Sequence, residues 1–127
     1  MARRKSIELP NIAHAAPIPM GSRIGNLVFS SGISGQDPDT GQLPDDPEVQ
    51  ARNLFRNIRH FMELAGGTPD DIIRVTLYLR EERYREVLNR EWVTMFPDPE
   101  SRPARHALTL PLRGQVLFQA ELVAVLE

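Results

Sequence analysis

Two charged residues near the end of the sequence stand inside apolar runs, and they are the first candidates for chemistry. Arg105 lies near the start of one strand-like run, and Glu121 lies in the middle of the next. A charge in such surroundings costs free energy unless a partner compensates for it. A guanidinium suits a carboxylate ligand through two parallel hydrogen bonds, and a carboxylate in a partly dry cleft suits proton transfer. The two residues therefore predict either a structural ion pair or a site that holds a charged ligand beside a reacting group.

A hairpin between these two runs would bring the charges together. Four residues, 111–114, join the runs, and antiparallel pairing about them places Arg105 opposite roughly residue 120. Arg105 and Glu121 then become direct or diagonal neighbours on the sheet. If the strands pair in this way, the sequence is consistent with two interpretations. One is an ion pair between strands or subunits, and the other is a ligand site.

Metal and thiol chemistry have little support in the sequence. The chain has no cysteine, which excludes disulfides and thiolate nucleophiles. His14, His60 and His106 lack the HxxxH or HxH spacing of metal ligands, so we expect no metal site and no cofactor. Ser31 and Gly32 end an apolar run without a GxSxG motif, and polar residues at a strand end are more often structural than catalytic.

Composition limits the class of protein and its partners. The 127 residues are 41% hydrophobic and 25% charged, with a formal net charge of −2. An acidic chain is a poor match for phosphates, so we expect no nucleic-acid partner. The first residues lack the apolar core of a signal peptide, and no apolar run approaches the ~20 residues of a membrane span. We expect a single cytoplasmic domain over residues 1–127, with no membrane contact.

Local signals predict the order strands, helix, strand, helix, two strands. The first helix begins at Pro47 with Asp46 as its cap, and it ends at Gly66 and Gly67. The other predicted segments are strands over 27–32, 71–79, 104–110 and 115–126, a loop over 34–46 and a helix over 82–96, with short extended pieces at most before residue 24. This order predicts an α+β fold with two helices on one face of a mixed sheet.

The last strand predicts a second covered face. Both of its alternating faces are mostly apolar, so both should be buried. Two helices cover only one face of a sheet, and the other is predicted to pack against further copies of the chain.

The chain resembles the Rid/YjgF family of reactive-intermediate deaminases from about Ala16 to Val125. The matching pieces are GNLVFSSG (25–32), DPDTGQL (37–43), QARNLFRNI (50–58), AGGTPDDIIRVTLYL (65–79), LNREWVTMF (88–96), RPAR (102–105) and FQAELVAV (118–125). Each piece is weak alone, but their order and spacing together are specific. The resemblance implies a chorismate-mutase-like α+β fold, assembled as a homotrimer with three sites in the clefts between subunits.

The resemblance also implies an activity and a set of site residues. The activity is hydrolysis of enamine and imine intermediates to 2-oxo acids and ammonia. Arg105 would bind the carboxylate of a small-molecule substrate, and Glu121 would position or activate water. The backbone around Ser31 and Gly32 would line the pocket. Asn89 would lie near it, although a helix polar residue or a subunit contact explains Asn89 equally well.

Three positions depart from the family pattern. Ile18 stands where many members carry the tyrosine of a Gly-Pro-Tyr motif, and Ala107 stands where many carry a cysteine. Ile33 stands where glutamine is frequent. These departures predict a more apolar pocket wall and a preference for imines with apolar side chains.

Four functions are therefore weighed. A general enamine/imine deaminase is favoured. The alternatives are a pathway-specific deaminase, for example of an aminomuconate-type dicarboxylate, and a non-catalytic member that binds a small carboxylate. An endoribonuclease is disfavoured because the chain is acidic and has neither a catalytic histidine pair nor an aromatic-basic stripe.

Overall fold

The computed structural model describes residues 3–127, which form one mixed β-sheet with two helices packed on one face. The strands are β1 (Lys5–Ile7), β2 (Gly21–Ile24), β3 (Leu27–Ser30), β4 (Ile33–Ser34), β5 (Ile72–Leu79), β6 (Ala104–Thr109) and β7 (Phe118–Val125). The helices are α1 (Pro47–Ala65) and α2 (Arg85–Met95), with short 3-10 turns at Pro69–Asp71 and Glu82–Tyr84. The predicted α+β fold is confirmed.

The first helix has the ends that the sequence predicts. The Asp46 side chain accepts a hydrogen bond from the backbone N–H of Glu48 at 2.9 Å, and Pro47 occupies the first turn. Gly66 ends the helix with a left-handed φ of 97°, which a residue with a side chain adopts at a cost. The helix therefore has both termini satisfied, and its apolar face packs on the sheet.

The strand order differs from the expected hairpin. The order is β1-β2-β3-β7-β5-β6, with β4 also paired to β7, and only β5 and β6 run parallel. Val75 of β5 pairs with Arg105 on one side and with Leu122 of β7 on the other. The predicted pairing of β6 with β7 is wrong because β5 lies between them.

The segment between β6 and β7 crosses the end of β5 instead of forming a tight turn. Arg80, the residue after β5, holds this segment through its guanidinium. The group donates to the backbone oxygens of Leu112, Gly114 and Val116 at 2.7, 2.6 and 2.9 Å. These bonds satisfy carbonyls of an irregular segment and fix where β7 begins.

The predicted strand over 27–32 is divided into β3 and β4 by a bulge. Phe29 pairs with Val123, whereas Ile33 pairs with Ala120, so three residues on one strand face two on β7. The Ser31 N–H donates to the Met20 oxygen at 2.7 Å instead of to β7. One extra residue on a strand bends it and redirects its side chains.

The core lies between the helices and the sheet. Phe61 of α1, Phe118 of β7 and Leu88 of α2 are all fully buried there. The opposite face of the sheet has no covering element among residues 3–127. Its exposed large apolar side chains include Leu27 and Phe29, of which Phe29 is 55% exposed. No helix in residues 3–127 is long and apolar enough to cross a membrane.

Candidate functional site

Glu121 lies near the middle of the uncovered sheet face. It stands on β7 directly across from Thr76 of β5 and is half-buried. Its carboxylate lines a groove of about 290 Å³. The residues that line this groove are Phe29, Ser30, Arg74, Thr76, Glu121, Leu122 and Val123. Glu121 is therefore an acidic group at the wall of a solvent-accessible cleft, as a proton-transfer residue requires.

A tyrosine that the sequence did not single out holds the Glu121 carboxylate. The Tyr78 hydroxyl donates to Oε1 of Glu121 over 2.6 Å. The pKa of Tyr78 is raised above its ordinary value of 10.0, first by this hydrogen bond, then by burial and by the negative charge of Glu121. A phenol with a raised pKa stays protonated at neutral pH, so Tyr78 acts as a hydrogen-bond donor to Glu121.

The bulge between β3 and β4 places Ser31 and Gly32 in the segment that lies across from Glu121 and Leu122. Ser30, Ser31 and Gly32 together face only Glu121 and Leu122 across the strand pair. A Cβ built on Gly32 would lie 2.8 Å from the Gln119 side-chain nitrogen. The absence of a side chain at Gly32 therefore leaves room for the side chain of Gln119. Ser30 lines the groove with Glu121, and Ser31 and Gly32 follow it along the chain.

Arg105 lies on the other face of the sheet. Its guanidinium carbon is 5.0 Å from the centre of the Trp92 ring on α2, a distance typical of a cation–π contact. Within residues 3–127 its side chain has no carboxylate partner and no hydrogen-bond acceptor. The pKa of Arg105 is lowered, mainly by burial and secondarily by the positive charge of Arg85. A half-buried guanidinium without an anion favours the binding of one.

The neighbouring Arg85 is already neutralised. Its Nε lies 2.6 Å from Oε1 of Glu82, and the Thr109 hydroxyl donates to Oε2 of the same carboxylate at 3.0 Å. Hydrogen bonds from Arg85 and then Thr109 lower the pKa of Glu82 from 4.5 to about 2. Arg85 thus has a partner within the chain, and Arg105 beside it does not.

The remaining residues predicted for the site lie in three different parts of the fold. Asn89 lies on α2 three residues before Trp92, so both side chains share the side of the helix that faces Arg105. Ile18 is 47% exposed in the segment before β2. Ile33 is fully buried and faces the helices opposite Ala120, so the prediction that it contributes to the pocket wall is wrong. The period of a strand places Ile33 on the covered face.

One chain therefore carries two separate halves of the predicted site. We name them the Glu121 half (Tyr78, Glu121, Ser31 and Gly32) and the Arg105 half (Arg105, Trp92 and Asn89). Two strand spacings, on the order of 10 Å, separate the strands that carry the charges, and the side chains point to opposite faces. An ion pair between Arg105 and Glu121 of one chain is excluded by this arrangement. No group of three or more histidine, aspartate or glutamate residues in 3–127 is arranged to hold a metal ion.

Known proteins resemble this chain in sequence and in fold. A sequence model of the family described as Endoribonuclease L-PSP matches residues 11–125. The RutC family protein of Pyrococcus horikoshii is 34% identical over 119 residues, which cover 88% of this chain and 93% of that protein. The 2-iminobutanoate/2-iminopropanoate deaminase of Escherichia coli is 28% identical over 124 residues, covering 95% of this chain and 97% of that enzyme.

A solved structure agrees with these sequence matches. The crystal structure of E. coli TdcF with bound serine covers 97% of this chain and 99% of its own, with a TM-score of 0.87 and 27% identity. The chain belongs to the Rid/YjgF family, the family that the matching sequence model describes. The deaminase among its relatives supports deaminase chemistry at the level of the family.

Proposed function

We propose that the protein hydrolyses 2-imino acids and their enamine tautomers to 2-oxo acids and ammonia. The observation that carries this proposal is the half-buried guanidinium of Arg105, which has no anion partner within residues 3–127. A planar guanidinium of this kind recognises a carboxylate with two hydrogen bonds. The name of the E. coli relative, a 2-iminobutanoate/2-iminopropanoate deaminase, supports the choice of substrate class.

The reaction needs one group that binds the substrate carboxylate and one that moves a proton. Arg105 holds the carboxylate of the imino acid. The Glu121 carboxylate accepts a proton from water while the water oxygen bonds to the carbon of the protonated imine, which gives a carbinolamine. Glu121 then returns the proton to the amino nitrogen. The C–N bond then breaks, and its electron pair stays on the nitrogen, which leaves as ammonia. An electron pair of the hydroxyl oxygen forms the C=O bond of the 2-oxo acid. The proton of that hydroxyl passes to ammonia and gives ammonium.

We also propose that the site forms between subunits of a homotrimer. The two halves lie on opposite faces of one sheet, so only a neighbouring copy brings an Arg105 half to a Glu121 half. Such a contact joins two different surfaces, and contacts of this type close into a ring. The exposed apolar side chains of the uncovered face, such as Phe29, support the same assembly. A stable monomer at micromolar concentration in sedimentation equilibrium would contradict it.

A non-catalytic carboxylate-binding role is the second candidate. It is favoured by the relative that was solved with bound serine, itself a small carboxylate. A dicarboxylate substrate has less support, because its second carboxylate would need a second guanidinium. The one near Arg105 belongs to Arg85, which already forms an ion pair with Glu82. The expected cytoplasmic location is part of the same proposal and stays a prediction.

An assay in which the imine is generated in situ tests the proposal. A serine/threonine dehydratase releases the imine, and its decay is followed with and without this protein. We expect acceleration by the wild type, and a loss of at least about a hundredfold in Arg105→Lys, since a point charge does not reproduce the two-bond geometry. Arg113→Lys, on the exposed segment before β7, is the matched control and keeps its activity.

The outcomes separate the candidates. Acceleration by the wild type that survives Arg105→Lys would show that Arg105 has no part in catalysis. No acceleration, with retained binding of a small 2-oxo acid measured by calorimetry, would favour the carboxylate-binding role. A fall in melting temperature of Arg105→Lys with normal activity would assign Arg105 a structural role.

A further inference from the structure

We propose that Tyr78 is a positioning residue for Glu121, and this inference rests on the proposed deaminase function. The phenol binds one carboxylate oxygen, Oε1, and so fixes the plane of the carboxylate. Within residues 3–127 no other side chain donates a hydrogen bond to Glu121. Oε2 is therefore left without a protein donor and is the oxygen that orients the attacking water.

The position of Tyr78 on the sheet makes the contact rigid. Tyr78 stands on β5 two residues beyond Thr76, the direct partner of Glu121, so Tyr78 and Glu121 form a diagonal pair on one face. The backbone of Tyr78 is paired on both sides, with Leu108 of β6 and Gln119 of β7. A tyrosine has few rotatable bonds, and a phenol fixed on an interior strand therefore holds the carboxylate at little entropic cost.

The contact between Tyr78 and Glu121 is short. The 2.6 Å separation between the Tyr78 oxygen and Oε1 falls in the range of an O–H donor bound to an ionised carboxylate. Such bonds are roughly twice as strong as neutral ones. The contact therefore holds the Glu121 carboxylate in one orientation.

The other titratable side chains that the structure describes on this face make no hydrogen bond to Tyr78 or Glu121. On the same face, Arg74 lies four residues before Tyr78 on β5, and His106 lies beside Thr76 on β6. Neither makes a hydrogen bond to Tyr78 or Glu121 among the contacts of residues 3–127. The raised pKa of Tyr78 keeps its proton in place at neutral pH. Tyr78 thus remains a donor, and Glu121 is the group that gains and loses the proton.

The first test compares two conservative variants in the imine assay. Tyr78→Phe removes only the hydroxyl, and we expect kcat to fall about tenfold or more while KM changes less than twofold. The substrate carboxylate is held by Arg105, which the variant leaves unchanged. Tyr84→Phe is the matched control, because Tyr84 packs edge-on against Phe118 outside both halves of the site, and its kcat should stay at the wild-type value.

The second test detects the contact without any substrate. The chain has two tyrosines, so the Tyr84→Phe variant contains Tyr78 alone. We expect its tyrosinate absorbance to appear at a pH clearly above 10.0, the ordinary pKa of the phenol. In the double variant with Glu121→Gln the transition should move back toward 10.0, since the hydrogen bond to a charged group and the negative charge are both removed.

These measurements distinguish failure of this inference from failure of the proposed function. Unchanged kcat in Tyr78→Phe with an active wild type overturns the positioning role and leaves the deaminase proposal intact. An ordinary phenol titration in the Tyr84→Phe variant overturns the contact itself. A wild type inactive on every imine overturns the proposed function and the positioning role of Tyr78 in catalysis together. Two results support the inference. In Tyr78→Phe the loss is confined to kcat, and the titration of the Tyr78 phenol changes when Glu121 is replaced by glutamine.

Discussion

The two faces of β7 use the same strand for different purposes. Phe118, Ala120 and Leu122 point toward the helices and are buried against them within the chain. Glu121 and Val123 point the other way and remain partly accessible. The helix-covered face has all of its packing partners in one chain, whereas the uncovered face lacks them. On β7, residues of the first face thus contribute to stability, and residues of the second remain available for ligands and for other copies.

Two polar residues on the helix-covered side of the sheet differ in their hydrogen-bond partners. Gln50 of α1 is fully buried, and its amide donates to the oxygens of Pro44 and Gln115 at 2.7 and 3.0 Å. Its own oxygen accepts from the Leu117 N–H at 3.0 Å, so the side chain ties loops to the helix. Arg105 lacks any acceptor within residues 3–127. A buried polar group with all its partners is typical of structure, and one without them is typical of a binding site.

The largest expected effect tests the helix-covered face. Phe118→Ala removes a fully buried ring that packs against Tyr84, and we expect the free energy of unfolding to fall by about 3–5 kcal/mol. Urea denaturation followed by circular dichroism measures this loss at several protein concentrations. A loss below about 1 kcal/mol would contradict the assignment of this face as the stability core.

A smaller effect is expected on the uncovered face, and it should depend on concentration. Phe29→Asp places a charge on an exposed apolar patch, and we expect the dissociation constant of the assembly to rise at least about thirtyfold. Sedimentation velocity over a dilution series measures this change. Leu64→Asp on α1, which is similarly exposed but lies outside the sheet, is the control and should leave assembly unchanged. Equal effects of both variants would remove the distinction between the two surfaces.

The smallest effect concerns the ion pair at the edge of the helix-covered face. Because the pKa of Glu82 is lowered from 4.5 to about 2 in the folded chain, its contribution is present above about pH 4.5 and is lost as the pH falls toward 2. Glu82 is exposed to solvent, so we expect Glu82→Gln to lower the melting temperature by no more than about 2 °C at pH 6. Thermal melts of both proteins should converge near pH 2. A difference that persists there would exclude ionisation of Glu82 as its cause.

Local signals in the sequence predicted the elements well, and pairing between distant strands was predicted poorly. The ends of α1 follow from Asp46, Pro47 and Gly66, which act on the nearest turn of the helix. The parallel pairing of β5 with β6 depends on a crossover through α2, which links residues far apart in the sequence. Assuming a hairpin between β6 and β7 therefore gave the wrong neighbour for Arg105.

The predicted site shows the same division. Arg105 and Glu121 were recognised because a charge inside an apolar strand is unusual. The sequence did not predict that Arg105 and Glu121 lie on opposite faces of the sheet, because this depends on the strand order. Tyr78 and Trp92 were missed as site residues because an aromatic residue in an amphipathic strand or helix most often belongs to the core. Only the register, which places Tyr78 diagonally across from Glu121, reveals its contact.

The central place of β7 also has a consequence for how the chain folds. β7 lies between β3 and β5, so it joins strands β1–β3 to strands β5 and β6. Its Val125 pairs with Leu27 of β3, a residue far away in the sequence. Contacts of such high sequence separation close a long loop and slow folding. Within residues 3–127 the ribosome makes β7 after the other strands, so β3 and β5 keep open edges beside apolar surface until then. The nascent chain is therefore most exposed to aggregation just before this strand is synthesised.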